Sequence, residues 1–105
     1  MSQNQRNAQR INLSIPIQLI FGTQITLKGQ LKDISVNSAF ITIKSSVHMA
    51  TNDELKFVID NLPNIEGSIQ GRARISRVAP GEGIAIYFTE MNKTSLNNLQ
   101  RLING

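Results

Sequence analysis

Apolar and polar residues alternate along most of the chain, which is the pattern of β-strands with one buried face. The first alternating segment covers residues 11–21, and five more cover residues 25–31, 39–43, 55–59, 65–75 and 84–88. Because the connections are mostly short, we expect mostly antiparallel pairing. The pattern predicts an all-β domain of six strands, arranged as a small closed barrel or as a sandwich.

Two residues inside these strands predict local features. Pro16 has no backbone N–H to donate, so the first strand has a free edge at that point. Gly29 interrupts the second segment and predicts either a β-bulge or a close approach of another backbone. Residues 33–38, which include Asp33, Ser35, Asn37 and Ser38, predict the turn that leads into the third strand.

The last segment has a helical period instead. Its apolar residues are spaced three and four apart, at Leu96, Leu99, Leu102 and Ile103. Asn92 or Thr94 can serve as the N-cap, and Gly105 can end the helix. A helix this short is marginal on its own, so we expect it to pack against the strands.

Composition restricts the class of protein. A chain of 105 residues is long enough for one hydrophobic core but not for two. No apolar run is long enough to cross a membrane, and residues 1–5 lack the apolar stretch of a signal peptide. The absence of cysteine excludes disulfides and thiolate metal sites. We therefore expect a soluble cytoplasmic domain without membrane insertion, whose net charge of +4 only weakly indicates an anionic partner.

Two short polar motifs carry the candidate chemistry. Arg6 and Arg10 form R-x-x-x-R just ahead of the first strand, and Asp33, Ser35 and Ser38 form D-x-S-x-x-S at the later turn. Arginine can bind a phosphate or the O6/N7 edge of guanine, while a carboxylate can accept hydrogen bonds from guanine N1 and N2. In this order, on either side of a predicted hairpin, the motifs resemble the signature of PilZ domains, R-x-x-x-R followed by D/N-x-S-x-x-G.

The resemblance extends to the later strands. Residues 71–78 and 83–91 are similar to the PilZ strands that commonly end in Gly-hydrophobic-x-hydrophobic-x-Phe before a terminal helix. The resemblance implies a six-stranded antiparallel β-barrel with a C-terminal α-helix over residues 11–105, as a single domain. Residues 1–10 would be a flexible segment that clamps the ligand.

The resemblance also implies a function, that of a receptor or adaptor for cyclic di-GMP (c-di-GMP). Arg6 and Arg10 would clamp phosphate and guanine, and Asp33 would accept from guanine. Ser35 would bind a phosphate or hold the turn through its own backbone. Ligand binding would order the N-terminal segment, and a protein effector would receive the signal.

Ser38 departs from the PilZ pattern, because the family motif has glycine at this position. Glycine permits a positive φ, or lets a ligand approach the backbone closely. Asn37 tolerates a positive φ and can take over that role, and the serine side chain is small and can itself contact the ligand. The alternative is a degenerate PilZ-like domain that no longer binds nucleotide and acts by protein–protein interaction.

Other functions find less support in the sequence. We find no nucleophile–base pair and no glycine-rich phosphate loop, so we expect neither an enzyme nor a bound cofactor. His48 is the only histidine, which argues against a metal site. Aromatic residues make up 5%, too few for the stacking platforms of a protein that binds single-stranded nucleic acid. Arg72, Arg74 and Arg77 are expected on a solvated sheet face.

Overall fold

The computed structural model describes residues 9–23, 25–44 and 49–105. In these ranges the chain forms six strands and one helix: β1 (Ile11–Phe21), β2 (Ile25–Ile34), β3 (Ser38–Thr42), β4 (Glu54–Ile59), β5 (Ile69–Ala79), β6 (Gly83–Met91) and α1 (Lys93–Asn104). The strands close into a barrel in the order β1-β2-β3-β6-β5-β4, and all neighbours are antiparallel. The six-stranded barrel with a C-terminal helix is confirmed, and the sandwich is excluded.

The barrel interior contains the inward side chains of the alternating pattern. Phe57 is fully buried, and its ring centroid lies 5.1 Å from that of the partly buried Phe88. α1 adds its apolar face to the same core through Leu99, Leu102 and Ile103. Burial of this face explains why a helix too short to be stable alone forms here.

The helix ends are capped as expected. The side-chain oxygen of Asn92 accepts a hydrogen bond from the backbone N–H of Ser95 at 2.8 Å. Gly105 has φ 89°, and its N–H donates to the carbonyl of Arg101. Of the two candidate N-caps, Asn92 is the one used.

The predicted fifth strand begins too early in the sequence. β5 starts at Ile69 rather than at Ile65, and Ile65 lies in the connection after β4. Asn64 and Gly67 have φ values of 62° and 101°, in the left-handed region that a strand cannot contain. Ile65 is therefore a half-buried apolar residue of a loop. The alternation pattern cannot distinguish such a residue from the first residue of a strand.

Pro16 and Gly29 are accommodated as the sequence predicts. Pro16 pairs with Gln30 of β2 on one side. On the other side the ladder between β1 and β4 covers only Gln18–Ile20, so the edge of β1 at Pro16 is free there. At Gly29, a Cβ atom would lie 2.6 Å from Cγ2 of Ile41 and 2.9 Å from the carbonyl oxygen of Thr42. Of the two alternatives for Gly29, close approach is correct, because the β1–β2 register is regular there.

Candidate ligand-binding site

Two register shifts shape the end of β2. The β1–β2 ladder shifts between Asn12 and Ile15, and the β2–β3 ladder shifts between Leu31 and Asp33. Such irregularities bend a strand and change the direction of its side chains. As a result Asp33 is half-exposed on the outer surface of the barrel, while the next residue, Ile34, is buried. Arg10 immediately precedes β1, which pairs with this part of β2.

The Arg10 guanidinium contacts three of the predicted site residues at once. Its Nε donates to Oδ1 of Asp33 at 2.8 Å, and its Nη2 donates to Oγ of Ser38 at 3.0 Å. Its Nη1 donates to Oγ of Ser35 at 3.4 Å. We call these four residues the Arg10 cluster. Arg6, the fifth predicted site residue, lies outside the described residues.

The Arg10 cluster is partly open to solvent. The Arg10 side chain is 44% exposed and that of Asp33 is 27% exposed. Solvent-exposed ion pairs typically contribute only about 0–1 kcal/mol to stability. The cluster therefore matters mainly for the orientation it gives to the guanidinium.

Ser35 is the fully buried member of the Arg10 cluster. Its Oγ accepts from the backbone N–H groups of Asn37 and Ser38 at 3.1 and 3.2 Å. Its own N–H donates to the carbonyl oxygen of Ser38 at 2.8 Å. These bonds close the connection between β2 and β3. The connection is shorter than predicted, because Asp33 still belongs to β2 and Ser38 is the first residue of β3. The geometry favours the role of Ser35 in holding the turn over direct contact with a phosphate.

Ser38 does not adopt a conformation that requires glycine. Among the described residues, the non-glycine residues with positive φ are Asn52 and Asn64. The prediction that Asn37 can supply a left-handed residue in this turn is therefore wrong, because the turn has none. Ser38 instead pairs with Tyr87 of β6, and its hydroxyl points to Arg10.

A family model described as PilZ domain matches residues 4–105. The chain belongs to the PilZ domain family. That identification confirms the resemblance carried by the two motifs and by the later strands. The assignment of Ser38 to the glycine position of the motif stays a prediction.

Solved structures of other PilZ domains share the fold of this one. The PilZ domain of YcgR from Escherichia coli, solved with c-di-GMP, is 14% identical with a TM-score of 0.78, and the match covers 94% of this chain and 88% of that one. The PilZ domain of CeSA from a cellulose-synthesizing bacterium is 21% identical with a TM-score of 0.71, covering 93% and 97%.

A longer protein also contains this fold. The Bacillus subtilis inhibitor of motility, MotI/DgrA, is 14% identical with a TM-score of 0.79, covering 94% of this chain. Our PilZ domain matches 49% of that protein, about half its length. No curated protein sequence matches the chain.

Sequence reasoning missed several side chains around the Arg10 cluster of this PilZ domain. Val36 and Tyr87 are large apolar side chains that remain 41% and 37% exposed. Phe40 lies opposite Asp33 in the β2–β3 ladder, and the guanidinium carbon of Arg77 is 5.8 Å from its ring centroid. The sequence signal that could have identified Phe40 and Tyr87 is their place at outward positions of the alternating pattern, where aromatic side chains are at least partly exposed.

The remaining arginines of β5 have partners on neighbouring strands. Arg74 donates to Glu54 of β4 at 2.6 Å, and Arg72 lies 3.7 Å from Glu90 of β6. Their side chains are on the outer surface, as the sequence predicts for a solvated face. Both are thus engaged away from the Arg10 cluster.

The described ranges contain no group of three or more metal-ligating side chains placed to hold an ion. His48, weighed in the sequence, lies outside them. In the same ranges, α1 is neither long nor apolar enough to span a bilayer.

Proposed function

We propose that this PilZ domain is a receptor or adaptor for c-di-GMP whose site consists of Arg6, Arg10, Asp33, Ser35 and Ser38, with Ser35 holding the turn. The observation that supports it is the Arg10 cluster, which combines a guanidinium, a carboxylate and two hydroxyls at one half-exposed place on the barrel. A PilZ domain of the same fold, that of YcgR, has been solved with this ligand.

The chemistry of the cluster suits a ligand that carries both phosphates and guanines. Arg10 offers planar N–H donors to phosphate oxygens or to the O6/N7 edge of a guanine. Asp33 offers carboxylate oxygens to the N1 and N2 donors of a guanine. In the free protein these two groups bond to each other at 2.8 Å, and each has further donors or acceptors that this bond does not use. Ser35 holds the turn that carries Ser38 beside them.

Residues 1–10 complete the proposed site as a clamp. Arg6 precedes Arg10 by four residues, so it can lie at most about 13–14 Å away along an extended chain. That reach lets both arginines contact one compact dinucleotide. Ordering of a segment costs about 1–2 kcal/mol for each residue fixed, so the contacts made by Arg6 must offset this cost.

The output of the proposed receptor is a change in the surface offered to a protein effector. Closure of the clamp over the ligand would cover the Arg10 cluster and present the bound dinucleotide together with residues 1–10. An effector responds only to the extent that it binds the two arrangements with different affinities. Binding without catalysis is sufficient for this role.

Titration calorimetry of the chain with c-di-GMP tests the proposal. We expect micromolar or tighter binding that is clearly weakened in Arg10→Ala and in Asp33→Ala, with melting temperatures close to the wild-type value. Arg72→Ala is the matched control, because this exposed arginine also pairs with a carboxylate but lies outside the cluster.

Two results would contradict the receptor function. The absence of both heat and thermal stabilisation in the wild-type chain would favour the degenerate domain that acts by protein–protein interaction. Equal loss of binding in Arg72→Ala and Arg10→Ala, with a steep salt dependence, would indicate general attraction of anions instead of a site.

A further inference from the structure

The hydroxyl of Ser38 is one of three acceptors that hold the Arg10 guanidinium. Asp33 takes the Nε–H, Ser38 takes one N–H of Nη2, and Ser35 takes one N–H of Nη1. A guanidinium carries five N–H donors. These three bonds therefore use one N–H of each terminal nitrogen, and the second N–H of each has no partner among the described residues.

The backbone fixes the position of the Ser38 hydroxyl. Ser38 opens β3 and pairs with Tyr87 in the β3–β6 ladder. Its N–H donates to Oγ of Ser35, and its carbonyl accepts from the N–H of Ser35. The neighbouring Asn37 is also held, because its carbonyl accepts from the N–H of Phe88 at 2.9 Å. Several hydrogen bonds thus hold the backbone around Ser38, and its hydroxyl points from there toward Arg10, just ahead of β1.

We propose that Ser38 is a positioning residue that holds Arg10 in its ligand-binding orientation before the ligand arrives. The inference rests on the proposed function and concerns the same site. Long side chains lose rotamer freedom when they bind a ligand, and an arginine that is already oriented loses less. Glycine or alanine at this position would remove one of the three acceptors. Serine here contributes to the site, where the sequence alone left open that it had ended nucleotide binding.

A series at position 38 tests this role in the full chain. Ser38→Ala and Ser38→Gly remove the hydroxyl, and Ser38→Thr keeps it on a residue that strands favour. Ser14→Ala is the matched control, because Ser14 is also an outward strand serine whose hydroxyl accepts from a side-chain N–H, that of Gln30 at 3.4 Å. Circular dichroism and melting curves verify that each variant is folded.

The first readout is the NMR signal of the Arg10 Nε–H group without ligand, assigned by its loss in Arg10→Lys. We expect solvent exchange of this proton to accelerate about 3- to 10-fold in Ser38→Ala and Ser38→Gly, in proportion to the loss of about one net hydrogen bond. Ser38→Thr and Ser14→Ala should exchange at the wild-type rate. A purely structural role of Ser38 would leave this signal unchanged in a folded variant.

The second readout is the affinity for c-di-GMP measured by calorimetry. Ser38→Ala and Ser38→Gly should weaken binding about 3- to 10-fold, again the effect of about one net hydrogen bond. Ser38→Thr should restore the affinity to within about twofold of the wild type, since the acceptor is retained. Ser14→Ala should bind as the wild type does.

The two readouts separate the inference from the proposed function. Unchanged Arg10 exchange in both Ser38→Ala and Ser38→Gly would overturn the positioning role, whatever the affinities. Tighter binding in Ser38→Gly than in the wild type would also overturn it. If exchange accelerates as expected but no chain binds c-di-GMP, Ser38 does position Arg10 and the proposed ligand is wrong.

Discussion

Two groups of polar side chains in the described part of this barrel differ in the partners to which they bond. Beside α1, Asn98 donates to the backbone carbonyl of Ser68 at 2.9 Å, and Ser95 accepts from the backbone N–H of Gln70 at 3.0 Å. In the Arg10 cluster, the guanidinium instead bonds to side chains on the exposed surface. We call the first group the helix seam.

The helix seam is also more buried than the Arg10 cluster. Asn98 and Ser95 are 6% and 2% exposed, and their bonds join the helix to the backbone of Ser68, just before β5, and of Gln70 in β5. Arg10 and Asp33 are partly exposed and retain hydrogen-bonding capacity beyond the bonds they make. Bonds from buried side chains to backbone stabilise the fold, whereas an exposed group with unused donors can exchange partners with a ligand. From this comparison we expect the helix seam to contribute to stability and, on our proposal, the Arg10 cluster to contribute to binding.

Truncation next to the helix seam should have the largest effect. Leu99 is fully buried on the apolar face of α1. Leu99→Ala should therefore lower the free energy of unfolding by about 2–5 kcal/mol. Urea denaturation measures the loss. The affinity of the folded fraction for c-di-GMP should stay unchanged, and a specific loss of affinity in folded protein would break the comparison.

Ser35 should show both kinds of effect, because it belongs to the Arg10 cluster but bonds to backbone. Ser35→Ala removes the buried Oγ that accepts from the N–H groups of Asn37 and Ser38, at a cost of about 1–3 kcal/mol in unfolding free energy. Binding should weaken as well, since the turn orients Ser38. Melting curves and calorimetry measure the two effects. Ser76→Ala is the control, because Ser76 is an exposed serine that donates to the carbonyl of Ala85. Equal results for the two variants would contradict the role of Ser35.

Arg10→Ala should affect binding with little change in stability. Loss of a bidentate arginine contact is expected to cost about 1–3 kcal/mol of binding free energy, or roughly 5- to 150-fold in affinity. The melting temperature should change by less than about 4 °C, because an exposed ion pair contributes at most about 1 kcal/mol. A large drop in melting temperature with unchanged affinity would reverse the assignment of the two regions.

Arg72→Ala should have the smallest effect and sharpen the comparison. The arginine and its partner Glu90 are 61% and 73% exposed, with 3.7 Å between the charged atoms. Surface substitutions of this kind usually change stability by less than about 0.5 kcal/mol. Chemical denaturation and calorimetry should both give wild-type values within error, and a clear loss of affinity would extend the site to β5.

Much of the fold could be predicted from the sequence, because alternation and helical spacing are local patterns that burial enforces. The strands, the terminal helix and the Asn92 cap follow from such patterns. The start of β5 could not be predicted, since it depends on the backbone conformations of Asn64 and Gly67. A partly buried apolar residue in a loop and one in a strand look alike in sequence.

Four of the five residues predicted for the candidate site lie together, but their geometry could not be predicted. The motifs identified Arg10, Asp33, Ser35 and Ser38, and the structure places all four in contact. The contact between Ser38 and Arg10 could not be predicted, because two register shifts change the pairing of β2 with its neighbours beside these residues. Those shifts arise from pairing between strands, which no local pattern shows.

Amide chemical-shift mapping of the ¹⁵N-labelled chain during titration with c-di-GMP tests the central claim most directly, because it observes both regions at once. The account predicts the largest shifts at Arg10 and along residues 33–38, with the amides of Ser95 and Asn98 in the helix seam unchanged. Shifts concentrated on α1, or none at saturating ligand, would contradict the assignment of binding to the Arg10 cluster.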